Sequence, residues 1–204
     1  MLERIHWLGH ASFRLDGPPT VYIDPWQVPA GAPPADLILV THDHHDHCSP
    51  EDVARISTPD TTVIAPPGAA KKLGGKARVL RRGERTTAAG VQVEAVPAYN
   101  VGKRFHPKEA DGVGYIVTIG GKRIYHTGDT DPIPEMEGLG VDILLLPVSG
   151  TYVADAKEAA EIVRLVNPAI AVPMHIGTIV GSLEDAERFK KLVTCQVEIL
   201  TPEK

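Results

Sequence analysis

Four imidazoles and two carboxylates fall within seven residues, Thr41-His42-Asp43-His44-His45-Asp46-His47, a density that a folded core does not need and a metal ion does. Neutral imidazole and carboxylate together suit zinc, manganese or iron. The preceding run Asp36-Leu37-Ile38-Leu39-Val40 reads as a buried strand. Downstream, Ser49 is a good N-cap, Pro50 suits the first helical position and Asp52 completes a capping box. The cluster therefore sits on a strand-to-helix loop. In an extended segment His42 and His44 project to the same side, and Asp46 and His47 follow where the chain turns, so two ligand pairs face two neighbouring points. A solvated, histidine-rich loop is the alternative, and the strand-loop-helix setting argues against it.

His42-x-His44-x-Asp46-His47 resembles the H-x-H-x-D-H signature of the metallo-β-lactamase-fold hydrolases. Tyr125-His126-Thr127-Gly128-Asp129-Thr130 resembles that family's T-G-D element, and Pro173-Met174-His175 its final histidine ligand. Trp7-Leu8-Gly9-His10-Ala11-Ser12-Phe13 and Tyr22-Ile23-Asp24-Pro25 are similar to a branch that includes ascorbate-phosphate lactonases and N-acylphosphatidylethanolamine phospholipases D. The matches run in the family's order from about residue 5 to residue 177. The resemblance implies a four-layer αββα sandwich of the α/β class, with one or two metals at one edge.

It also implies a ligand set. His42 and His44 take one metal, Asp46, His47 and His175 the other, and Asp129 bridges them, giving two divalent ions with zinc as first choice and manganese or iron as alternatives. Where related enzymes often carry a third histidine, Pro97-Ala98-Tyr99-Asn100 ends in asparagine. His106, on the same loop, is the expected substitute; the alternatives are a water in its place or a site holding a single metal. Ligating imidazoles give their second N–H to a carboxylate or carbonyl, a role open to Asp24, while Asp43 either does the same or caps a turn; Asn100 belongs with this supporting set. His10 is either a pocket residue that contacts substrate or aids a leaving group, or a hydrogen-bonded core histidine. His126 is a weaker pocket candidate, His45 points away from His42 and His44, and His6 reads as packing or surface. Cys48 follows His47 and is expected to be small filler rather than a ligand.

With two metals, a water between the cations loses a proton near neutral pH, because coordination lowers its pKa from 15.7 to about 7, and becomes a fixed hydroxide. The expected activity is hydrolysis of a small ester, lactone or phosphoester, with leaving-group protonation from water, Asp46 or a pocket histidine. Two other readings stand beside it: a nuclease of the same fold, and a non-enzymatic metal-binding or sensing protein. The basic run Lys71, Lys72, Lys76, Arg78, Arg81, Arg82 and Arg85 is weighed as an ordinary solvated face, because the chain carries a net charge of −5 and lacks interleaved aromatics. Nucleic acid is thus not the expected partner. Lys103 and Arg104, on the His106 loop, point to a small-molecule substrate that is anionic.

These groups need a scaffold. A chain of 204 residues with 43% hydrophobic content suffices for one well-buried domain, 1–204. No run approaches the ~18 apolar residues of a membrane span and no signal-peptide pattern opens the chain, so a cytoplasmic protein is expected. Cys48 and Cys195 lack metal-type spacing, and a disulfide framework is not expected. A homo-oligomer is an open expectation, by analogy with the branch. Strands are predicted at Arg4 to Leu8, Ser12 to Leu15, Val21 to Ile23, Leu37 to Val40, Thr62 to Ala65, Arg78 to Leu80, Val91 to Val96, Gly114 to Ile119 and Lys122 to Tyr125. Gly120-Gly121 reads as a hairpin turn, Ala169 to Val172 as a further apolar run, and Asp155 and Ser182 as caps of two helices.

Overall fold

In the computed structural model, which describes residues 1–203, the chain folds into two sheets packed face to face with helices on both outer sides. The first sheet holds β1 (Ile5–Gly9), β2 (Ser12–Leu15), β3 (Val21–Ile23), β4 (Leu37–Leu39), β5 (Thr62–Ala65) and β6 (Arg78–Val79) in sequence order. Its first three strands run antiparallel and β3 to β6 run parallel. Helices α1 (Pro50–Ile56) and α2 (Pro67–Lys72) supply the crossovers around β5. Their Val53, Ile56, Ala69 and Ala70 cover Leu8, Tyr22, Ile38 and Val40 on the outer face.

The second sheet repeats the plan. β7 (Arg85–Ala88), β8 (Val91–Pro97), β9 (Val113–Ile119) and β10 (Lys122–His126) are antiparallel neighbours. β10, β11 (Ile143–Pro147), β12 (Ile170–Met174) and β13 (Gln196–Val197) continue in parallel, with α3 (Ala156–Val166) between β11 and β12 and α4 (Leu183–Lys190) before β13. Gly120 and Gly121, at φ 57° and 75°, make the two-residue turn that sets Ile119 opposite Lys122.

Central strands buried on both faces require apolar residues at every position, which is why Leu37–Leu39 and Ile143–Pro147 read as unbroken apolar runs. The core between the sheets joins Phe13, Leu15, Ile23 and Leu39 to Val93, Tyr115, Val117 and Leu145. Capping boxes form at Asp155 with Glu158 and at Ser182 with Asp185. At α1 only half a box exists: Ser49 accepts from the Asp52 amide, but the Asp52 carboxylate turns away to accept from the Gln27 and Val28 amides. The 27–28 loop contains unpaired donors, and Asp52 satisfies them in preference to the helix start.

The strand expectations hold to within a residue or two, and β7, β11, β13 and α2 are additions. No helix among the described residues is long and apolar enough to cross a membrane. Several of the basic residues between 71 and 85 are engaged: Lys72 donates to the Asp43 carbonyl, Arg82 to the Gly112 and Lys108 carbonyls, and Arg85 pairs with Glu94.

Candidate metal centre

Strands β1, β3, β4, β8, β10, β11 and β12 all run the same way within their sheets, and the loops leaving their carboxyl ends meet at one edge of the sandwich. They deliver, in that order, His10, Asp24, residues 41–47, residues 98–106, Asp129, residues 149–152 and His175. Ligand sites at the carboxyl ends of parallel strands follow from this arrangement, because there the connections splay apart and leave a crevice.

Asp129 is the hub. It is buried, and its carboxylate lies 3.3 Å from His47 Nε2, 3.3 Å from His106 Nε2, 3.2 Å from His175 Nε2 and 3.9 Å from His42 Nε2. His106 Nε2 stands 3.0 Å from His44 Nδ1. Two ligands bound at 2.0–2.1 Å in tetrahedral geometry lie about 3.3 Å apart, so these separations suit donors arranged around absent ions. Three compact sets emerge: His42 with His44 and His106, His47 with Asp46, His175 and His10, and Asp24 with His42 and His47, the last already joined by hydrogen bonds through Thr41 and His47 Nδ1. His42 Nε2, His47 Nε2 and Asp129 Oδ1 are buried without any hydrogen-bond partner. Orphaned buried polar atoms are costly, and bound cations would relieve all three.

The local chain explains how each group is aimed. The Thr41 amide and hydroxyl donate to Asp24 at 2.7 and 2.6 Å, and His47 Nδ1–H donates to the same carboxylate at 2.7 Å. Because the Thr41 proton goes to Asp24, the 2.9 Å contact between Thr41 Oγ1 and His42 Nδ1 is donated by His42. One buried carboxylate thereby engages Nδ1 of His47 directly and Nδ1 of His42 through Thr41, and turns both Nε2 atoms toward Asp129. His106 Nδ1–H donates to the Tyr152 carbonyl at 3.1 Å, and Asn100 Nδ2 donates to the Tyr152 and Phe105 carbonyls at 2.6 and 2.9 Å. Asn100 thus holds the turn that aims His106. His175 Nδ1 meets Ser149 Oγ at 3.2 Å. Gly128, at φ +65°, brings its backbone so close to Val113 and Thr41 that a Cβ there would lie 2.8 Å from the Val113 carbonyl. Backbone strain concentrates here: five of the nine non-glycine residues at positive φ are His10, Asp24, His106, Tyr152 and His175.

Burial and neighbouring charge divide the protonation states. Burial, with His47 adding to it, holds His42 well below the ordinary imidazole value, and burial also lowers His106 and His10. For His47 burial acts the same way but is outweighed by the carboxylates of Asp129 and Asp24, which raise it well above that value. Burial would raise Asp129, but His175 and His47 hold it well below the carboxylate range. Burial would raise Asp46 too, but the His10 hydrogen bond, the His47 charge and a backbone hydrogen bond together hold it below the carboxylate range. The site is therefore an ionised carboxylate hub ringed by imidazoles, a donor set fit for divalent cations.

The remaining predicted residues fall as follows. His10 is fully buried beneath Asp46, donates to it at 3.0 Å and packs against His175 with ring centroids 3.9 Å apart and planes inclined by 44°. Asp43 is exposed beside Gly68 and makes no hydrogen bond to a histidine. His45 faces solvent, and His126 is spent on the Ala11 carbonyl and the Gly128 amide. His6 pairs with Asp16 and Glu203 at the far sheet edge. Cys48 is packed in the apolar layer under α1, and burial pushes its thiol up to about 11. Lys103 donates to Asp131 at 2.5 Å, Glu158 at 2.7 Å and the Val153 carbonyl at 3.0 Å, so its charge is neutralised and no longer supports an anionic substrate. Thr41, Ser149 and Tyr152 carry no chemical signature in the sequence; their roles arise from hydroxyl and carbonyl contacts made only on folding.

A sequence profile described as a beta-lactamase superfamily domain matches residues 4–175. A UPF0173 metal-dependent hydrolase of Thermoplasma acidophilum is 34% identical over 98% of this chain and 95% of its own length. One from Pyrococcus abyssi is also 34% identical, over 98% and 97%. A crystal structure assigned as a metal-dependent hydrolase from Parabacteroides distasonis superposes with a TM-score of 0.88 at 34% identity, covering 98% of this chain and 93% of the other.

Proposed function

The chain belongs to the beta-lactamase superfamily and is a metal-dependent hydrolase, and we propose that it uses two divalent cations to cleave a small ester, lactone or phosphoester. The observation that carries the two-cation reading is the convergence of four imidazole Nε2 atoms within 3.9 Å of the Asp129 carboxylate, with His42 Nε2, His47 Nε2 and Asp129 Oδ1 left unpartnered. His42, His44 and His106 would hold one cation, Asp46, His47 and His175 the other, with Asp129 between them. An imidazole-rich set with few carboxylates favours zinc, with manganese or iron as alternatives.

Bound divalent cations supply such a site with an acidified water and a polarised scissile oxygen. The chain's own residues do the rest. Asp24 and Thr41 keep His42 and His47 in the tautomer that presents Nε2. His10 fixes one oxygen of Asp46, whose side chain is 13% exposed and borders the cleft. A carboxylate held ionised there is suited to hold a cation and to accept a hydrogen bond from the attacking water.

Elemental analysis of wild type and His106→Ala after metal supplementation tests this reading. The expected result is about two equivalents in wild type and about one in the variant, with ester hydrolysis lost on chelation. One equivalent or fewer in wild type overturns the two-cation assignment, and an unchanged content in His106→Ala overturns His106 as a ligand.

A further inference from the structure

We propose that the cleft above this centre receives its substrate through a short, uncharged, apolar acyl or alkyl group lying against Phe105, Tyr152 and Ile179. This deepens the hydrolase reading and rests on it for the position of the scissile bond.

The cleft has a volume of about 270 Å³ and is floored by Asp46, Asp129, His106 and His175. That is slightly below the ~300–1,000 Å³ of pockets that hold drug-sized ligands, so the occupant is small. Its walls are unusual for a water-facing surface. Phe105, Tyr152 and Ile179 are 40%, 48% and 43% exposed, and they are three of only seven large hydrophobic side chains left exposed among the described residues. Scattered singly such residues need no explanation, but three around one polar floor form a binding surface.

The wall is built, not loose. Phe105 and Tyr152 pack edge to face with centroids 4.8 Å apart and rings inclined by 72°. Phe105 precedes His106, and the Tyr152 carbonyl accepts from both His106 and Asn100, so the apolar wall and the His106 imidazole share one backbone brace. An acyl chain lying on Phe105 is therefore held in register with the floor.

The cleft wall offers no cation to an anionic tail. No lysine or arginine lines the cleft. Lys103 is consumed by Asp131 and Glu158, and the Arg104 guanidinium lies over the Phe105 ring, 5.6 Å from its centroid. A second anionic group on the substrate would meet apolar rings in place of a cation, and a desolvated unpaired charge is strongly unfavourable.

The test is direct binding of the metal-loaded full chain to uncharged, non-hydrolysable N-alkylacetamides from ethyl to hexyl, followed by titration calorimetry. Burial of each added methylene should tighten Kd up to about fourfold. Phe105→Ala and Ile179→Ala, both at half-exposed positions, should each flatten that slope, while Leu192→Ala, an exposed residue away from the cleft, should leave it intact. A flat slope in wild type, a slope unchanged in both cleft variants, or tighter binding when the alkyl end carries a carboxylate would overturn the proposal. Hydrolysis of p-nitrophenyl acetate is scored separately: a flat slope with active hydrolysis sinks the apolar subsite alone, whereas a steep slope without hydrolysis sinks the hydrolase reading and keeps the subsite.

Discussion

Asp24→Asn should weaken metal binding 10- to 100-fold although Asp24 is expected to touch no metal. In the wild type one oxygen accepts from the Thr41 amide, and the other accepts from the Thr41 hydroxyl at 2.6 Å and His47 Nδ1–H at 2.7 Å. If the asparagine keeps its oxygen on the Thr41 amide, its NH2 faces those two donors. The Thr41 hydroxyl can rotate to accept, but His47 can relieve the donor-donor clash only by moving its proton to Nε2, which removes the lone pair aimed at Asp129. A hydrogen bond to a charged group is worth about 1.5–3 kcal/mol. Losing the His47 bond alone therefore predicts roughly ten- to hundredfold lower affinity, in line with the usual effect of removing a group that orients a ligand. Competition with a chromophoric chelator at neutral pH reads this out. Zinc affinity within threefold of wild type, with an unchanged unfolding temperature of the metal-free protein, would refute the tautomer argument.

Lys103→Met leaves the Asp131 carboxylate, only 4% exposed, with the Val101 amide as its remaining partner, and should cost about 2–3 kcal/mol in chemical denaturation while loosening the loop that carries His106. A loss under about 0.5 kcal/mol would show that the clamp does not hold this loop. The metal-free protein should be most stable near pH 6.5. As pH falls toward that value, His47, whose folded pKa is raised, contributes ion-pair stability that is fully present below the unfolded value. Below 6.5, His10, His42 and His106, whose folded values are lowered, take up protons only on unfolding, and stability falls by up to about 1.4 kcal/mol per pH unit for each. A denaturation series that rises steadily from pH 8 to pH 5 would contradict these assignments.

Much of this was legible before folding, for physical reasons that differ by element. The 41–47 cluster is visible because four imidazoles and two carboxylates in seven residues have no role in a core, and Thr127-Gly128-Asp129 because the turn needs glycine at φ +65°. The caps at Asp155 and Ser182 are local hydrogen bonds and so are written locally. β11 carries the same unbroken apolar run as β4 and was legible by the same signal, whereas β7 escaped because an edge strand of Arg-Thr-Thr-Ala has little apolar signal, and α2 because six residues without a side-chain cap barely register. At the site, the sequence by itself supplied the residue types and one side of the cleft. Only the tertiary structure brought His106 within 3.0 Å of His44 across 62 positions, tied His47 directly and His42 through Thr41 to the Asp24 carboxylate, and spent Lys103 on Asp131 and Glu158. Those facts depend on which loops leave the same sheet edge, a property of strand order and direction that no single segment encodes.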